Sequence, residues 1–131
     1  MKTPIILLLT SDPTLEETVA QTLLEMSGIS HLTLSPDEAL QIISAMRHDL
    51  ALAVIDCEHG PYGIRLVSAI KDRREDFPMI VITGDNEKCI EALAYANGAT
   101  ACFSKPVSAA QIKSVLNQYG RSQHQLEPLV T

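Results

Sequence analysis

Ala51-Leu52-Ala53-Val54-Ile55-Asp56 runs through five apolar residues without alternation and ends on a carboxylate. An unbroken apolar run of this length suits a strand buried on both faces, as in a parallel sheet. Cys57-Glu58-His59-Gly60-Pro61-Tyr62-Gly63 follows, with the glycines and proline of a loop. Asp56 is therefore expected at the carboxyl end of a central strand, the edge where open α/β sheets bind ligands. Alone, such an Asp could equally cap a turn or the next helix. Two further strands change that reading. Pro78-Met79-Ile80-Val81-Ile82-Thr83 ends in a hydroxyl, and Ala99-Thr100-Ala101-Cys102-Phe103-Ser104 runs into Lys105-Pro106. A carboxylate, a hydroxyl and a cation at the ends of successive strands make a site for a phosphoryl group.

The 131 residues fit one domain with a workable core, and 46% of them are hydrophobic. A net charge of -6 argues against non-specific nucleic-acid binding by the domain itself. No apolar run approaches the roughly 20 residues that span a bilayer. The short run Ile5-Ile6-Leu7-Leu8-Leu9 leads into Ser11-Asp12-Pro13 with no small-residue cleavage site, so a signal peptide is not expected. Cys57, Cys89 and Cys102 show no paired spacing, which fits a reducing compartment; a cytoplasmic protein is the expectation.

Five strands alternate with five helices along the chain. Pro4 to Thr10 reads as the first strand, and Ser11 or Asp12 caps a helix with Pro13 in its first turn. Leu15, Val19, Leu23 and Met26 recur at helical spacing until Gly28. Residues 29–34 suit an edge strand, and Ser35-Pro36-Asp37-Glu38 is a capping box opening a helix that buries Ala39, Ile43 and Met46. A helix over about Tyr62 to Arg74 turns Ile64, Val67 and Ile70 inward and ends in the solvated charge run Lys71 to Asp76. Asp85 is the expected cap of a helix with Ile90, Leu93 and Ala94 inward, closed by Asn97-Gly98. Ser108 caps the last helix, which buries Ile112, Val115, Leu116 and Tyr119 and ends at Gly120. The pattern specifies one α/β domain over 1–119: a flavodoxin-like (βα)5 doubly wound parallel sheet of order 2-1-3-4-5. The polar tail 120–131 is expected to be disordered. The switch point then brings the Thr10–Asp12 loop beside Asp56, with Thr83 on the other side and Lys105 one strand further.

Asp56 after its apolar strand, Ile80-Val81-Ile82-Thr83-Gly84, and the spacing from Asn97-Gly98-Ala99 to Lys105-Pro106 resemble the receiver domain of bacterial response regulators, over about residues 4–119. The resemblance implies that Asp56 is the phosphoacceptor, that the Thr83 hydroxyl contacts the phosphoryl group and that Lys105 pairs with it. It implies Mg²⁺ at the site, a sensor histidine kinase or phosphotransfer protein as donor, and an output protein or a homodimer through the last two helices as the reader. Elementary chemistry agrees: a carboxylate can attack a phosphoryl donor, and the transfer needs positioning and charge neutralisation more than covalent help.

The chain departs from the family pattern at several places. The adjacent acid pair that holds Mg²⁺ falls on Thr10 and Ser11, and Asp12, one place late, is the remaining acid. Gly60 stands where a loop proline is usual, Cys102 where the last strand carries a switching aromatic, and Gly84 where alanine is commoner. Glu58 has two readings: an exposed loop residue, or a carboxylate that joins Asp12 and Asp56 as metal ligand in place of the missing pair. Cys57-Glu58-His59 is too contiguous to converge on a transition metal. Asp56 lacks the histidine spacing of cobalamin-binding domains, and the Thr10–Thr14 loop lacks the glycine of a flavin phosphate cradle. Tyr95, Lys88 and Lys113 fall on or near the last two helices, the face that receivers use for partners, and read otherwise as plain surface residues. Two functions follow, neither a conventional enzyme: a phosphoacceptor receiver in a two-component relay, or a pseudo-receiver that signals by contact alone.

Overall fold

The computed structural model describes residues 4–26, 29–33, 35–45, 50–58, 62–84 and 87–120, and the expectations placed on Gly28, Met46, Asp85, residues 59–61 and the tail from 121 onward lie outside them. Five parallel strands form one sheet in the order β2-β1-β3-β4-β5. They are β1 (Ile5–Leu9), β2 (Ser30–Thr33), β3 (Leu50–Asp56), β4 (Met79–Thr83) and β5 (Ala101–Ser104). Between and after them run α1 (Pro13–Glu25), α2 (Pro36–Ser44), α3 (Tyr62–Arg73), α4 (Lys88–Ala96) and α5 (Ala109–Val115), and a π-helical turn continues α5 over Leu116–Gly120. This is the doubly wound, flavodoxin-like arrangement expected from the alternation of apolar runs.

The lack of alternation in the central strands has a direct physical reason: neighbouring side chains enter two different cores. Leu52 and Val54 of β3, with Ile6 and Leu8 of β1, pack under Leu15, Val19 and Leu23 of α1 and Ile112 and Val115 of α5. Ala53 and Ile55 of β3, with Leu7 and Leu9 of β1, pack under Ala39 and Ile43 of α2, Val67 and Ile70 of α3, and Ala94 of α4. Each face is covered by helices, so period-two polarity would put polar groups in one of the two cores.

Helix starts follow the capping residues. The Asp12 side chain accepts from the Thr14 N–H at 2.9 Å. Ser35 with Glu38 and Ser108 with Gln111 form two complete capping boxes. Gly98 takes a φ of +113° after α4, and a Cβ there would stand 2.9 Å from Lys71 Cδ, so both backbone and space call for glycine.

Two expectations, on Leu93 and on the charge run, need correction. The expected inward Leu93 is 48% exposed, because α4 is short and buries Ala94, with Ile90 only partly covered. The residue at the N-cap of α4 is Glu87, whose side chain makes no capping bond. The charge run that ends α3 is not wholly solvated: Arg73 donates to Ser44 Oγ at 3.0 Å, and Arg74 lies over the Phe77 ring at 4.7 Å.

Candidate functional site

Asp56 is the last residue of β3 and pairs in register with Ile82, so the end of β4, Thr83, lies one step beyond it along the same edge. The Asp56 side chain is 5% exposed, and both of its oxygens are engaged. Oδ1 accepts the Glu58 N–H at 3.0 Å; Oδ2 accepts the Thr10 hydroxyl at 2.6 Å and the Lys105 ammonium at 2.8 Å. Thr10 is held in turn, since its Oγ1 accepts the Asp12 N–H at 3.0 Å.

Lys105 follows β5 and reaches across the edge from beside Thr83, whose carbonyl accepts the Lys105 N–H at 2.9 Å. Its ammonium donates to Asp12 Oδ2 at 2.7 Å, Asp56 Oδ2 at 2.8 Å and Glu58 Oε1 at 2.7 Å. An ammonium has three protons, and here each has a carboxylate. Burial works against the charge on Lys105, but the bonds to Asp12, Asp56 and Glu58 outweigh it and hold the ammonium well above the ordinary lysine range. The same bond from Lys105 holds Asp12 below the usual carboxylate value. Beside them, burial and then the Asp56 charge push the Cys57 thiol up to about 12, so Cys57 is a packed side chain and not a nucleophile at neutral pH.

The sequence placed Asp56, Thr83 and Lys105 along one edge with Asp12 beside them and left Glu58 open; the structure brings Asp12, Asp56, Glu58 and Lys105 into contact. Asp12 serves twice: Oδ1 caps α1 while Oδ2 binds Lys105, which draws the late acid into the pocket. Glu58 is not the exposed loop side chain of the simpler reading; it is 34% exposed and turned onto Lys105. Thr83 is buried at the end of β4, and its hydroxyl makes no hydrogen bond to Asp56 or Lys105. Thr10 was counted in the sequence as a missing acid; its part as a donor to Asp56 was not read there. The available signal was its place: a hydroxyl at the carboxyl end of β1, across the switch point from Asp56.

One oxygen from each of Asp12, Asp56 and Glu58 lies within 4.8 Å of the other two. Three hard, partly exposed carboxylates suit Mg²⁺, which takes oxygen ligands and keeps several waters. The residues present therefore fit the ion, with the Lys105 ammonium as the charge that such an ion would have to share or displace. A cleft of about 350 Å³, lined by Asp12, Thr14, Thr18, Glu58 and Lys105, opens the cluster to solvent.

The sequence matches the family model of the response regulator receiver domain over residues 6–117. This chain belongs to that family. Among solved structures, it is similar to a CheY-like response regulator receiver domain protein from Methanospirillum hungatei (20% identity, TM-score 0.74, 89% of this chain and 93% of that one). A receiver domain protein from Clostridium thermocellum aligns at 24% identity and TM-score 0.76, over 94% of this chain and 98% of that one. NtrX from Brucella abortus, solved in complex with ADP, aligns at 23% identity and TM-score 0.77, over 99% of this chain but 28% of its own length. No curated protein matches the sequence. Among the described residues, no helix is long and apolar enough to cross a membrane.

Proposed function

We propose that this receiver domain accepts a phosphoryl group on Asp56 from a histidine kinase or phosphotransfer protein and passes the signal to an output partner by contact. The observation that carries the reading is the convergence of Asp12, Asp56 and Glu58 on the Lys105 ammonium at 2.7–2.8 Å. An Asp56 oxygen is the nucleophile toward phosphorus, and the donor's leaving group departs with the bonding pair. Lys105 faces the oxygen charge that develops; Mg²⁺, held by Asp12, Asp56 and Glu58 when bound, supplies further neutralisation. Thr10 and Lys105 must loosen their hold on Asp56 Oδ2 for that oxygen to react. Incubation with acetyl phosphate and Mg²⁺ is expected to label the wild-type chain and not Asp56→Asn; persistent label in Asp56→Asn would sink the assignment.

A second reading has its own observation. Both Asp56 oxygens are already satisfied within the chain, by Thr10, Glu58 N–H and Lys105. A pocket so neutralised could serve a pseudo-receiver that never loads phosphate. Metal affinity bears on the choice. Ser11 is exposed and borders the same cleft as Asp56. Ser11→Asp is expected to tighten Mg²⁺ binding about tenfold by adding a carboxylate at an acid position of the family. Equal affinities by calorimetry would count against that alignment of the loop.

For output we propose the α4–α5 side, with a homodimer as one form of partner. Tyr95 supports this: half exposed on α4, its hydroxyl accepts the Cys102 N–H of β5 at 3.2 Å. A Tyr95 hydroxyl from α4 thus bonds the strand position where the family's ring would stand. Beryllofluoride, as phosphate mimic, is expected to shift backbone amide signals over 87–97 and 104–113. Cys102→Tyr should leave the unphosphorylated fold intact. Shifts confined to the Asp56 pocket would favour the pseudo-receiver.

A further inference from the structure

The Gly84 N–H, just past β4, donates to Glu87 Oε1 at 2.6 Å. Gly84 is buried against the site: a Cβ on it would lie 3.0 Å from Glu58 Cγ and 2.6 Å from Glu87 Oε1. A buried amide must find an acceptor, and a carboxylate makes a short, charge-assisted one. Glu87 is also the N-cap residue of α4, yet its side chain makes no capping bond there. Its carboxylate is turned back, away from the first N–H groups of α4 and onto Gly84.

We propose that Glu87 is an internal anion occupying the Gly84 amide, and that it must release this amide when an anion binds on Asp56. This rests on Asp56 being the anion-loaded group of the proposed function. The physical basis is competition: one N–H cannot serve two anions fully, and like charges in a partly desolvated pocket repel. Gly84 has no side chain to keep the two apart. The released carboxylate gains an alternative at the N-terminus of α4, where a negative charge and an acceptor are both favourable. Glu87 thereby sets how readily the pocket loads and ties loading to the first turn of α4.

The test uses the full chain, with beryllofluoride and Mg²⁺ as the probe. Glu87→Ala is expected to tighten beryllofluoride binding about tenfold, and Glu87→Gln, which keeps an acceptor and loses the charge, by a smaller factor. The Gly84 amide proton should move upfield in Glu87→Ala before any ligand is added. Affinities within twofold of wild type in both variants, no binding by any of the three proteins, or an unmoved Gly84 amide would overturn the proposal. Labelling by acetyl phosphate is measured separately. If Glu87→Ala binds the mimic more tightly while neither protein is labelled, the phosphoacceptor reading fails and the role of Glu87 stands. If both proteins are labelled but the affinities match, the reverse holds.

Discussion

Lys105→Gln is expected to lower stability by about 2 kcal/mol at neutral pH and to tighten Mg²⁺ binding about tenfold. Glutamine preserves much of the stem but removes the charge that three carboxylates share. Breaking a fully buried pair by deleting one partner costs about 3–5 kcal/mol, and exposed pairs contribute about 1 or less. Lys105 is 14% exposed while Asp12 and Glu58 are more open, so the effect falls between these limits. Metal binding moves the other way, because the ion no longer competes with an ammonium for the same oxygens.

The pH dependence separates this from loss of packing. Asp12 is depressed below its ordinary value of 3.8, so its contribution is present above that value and fades as pH falls through the lowered one. Lys105 is raised above its ordinary value of 10.5, so its contribution is present below that and is lost as pH rises through the elevated one. Between about pH 4 and pH 10 the Asp12–Lys105 contact should therefore hold steady. In Lys105→Gln the carboxylates repel one another, and a proton taken up by the cluster relieves this. Stability of the variant, by urea denaturation, should rise as pH falls from 7 towards 5, and added Mg²⁺ should restore much of the loss at pH 7. A variant as stable as wild type at pH 7, without metal, would show that Lys105 does not hold the three acids together.

Leu52→Ala should cost about 3 kcal/mol, with the urea midpoint lowered and the slope of the transition unchanged. Leu52 is fully buried in the centre of β3, beneath both α1 and α5. Strands and helices on every side limit how far the core can close around the missing atoms. The same truncation at Leu24, 87% exposed on α1, should change little. Comparable losses at the two positions would contradict the burial that the two-sided sheet imposes.

What could be read from the chain depended on whether the signal was local. Burial on both faces leaves its mark in an unbroken run, so β3 and β4 were legible, and with them the edge that carries Asp56. Caps are equally local, and Asp12, Ser35 and Ser108 act as their sequence contexts suggest. The strand order placed Asp12 and Lys105 beside Asp56 although they are 93 residues apart from each other. Side-chain direction in loops was not legible. Glu58 could point to solvent or to the site, and only the position of Lys105, on a distant strand, turns it inward. Thr10 looked like an absence because the family pattern asks for acid there; its hydrogen bond to Asp56 is a property of the β1–β3 pairing. Glu87 carried no local signal either; its bond to the Gly84 amide exists only in the folded chain. Leu93 has the spacing of a buried residue, but α4 is too short and too peripheral to bury it.

In the proposed function, the cluster takes the place of the usual acid pair. Asp12 and Glu58 come from either side of Asp56, one through the cap of α1 and one through the loop after β3, and the ammonium between them keeps the pocket assembled when no other cation is bound. In the proposed function, this assembly exchanges part of its lysine contact for a divalent cation and so prepares Asp56 to react. Intact mass of the wild-type chain after incubation with acetyl phosphate, with Mg²⁺ in one sample and a chelator in the other, tests it most directly. We expect the mass of one added phosphoryl group in the Mg²⁺ sample and an unmodified chain in the other; an unmodified chain in both, or equal labelling in both, would contradict this exchange.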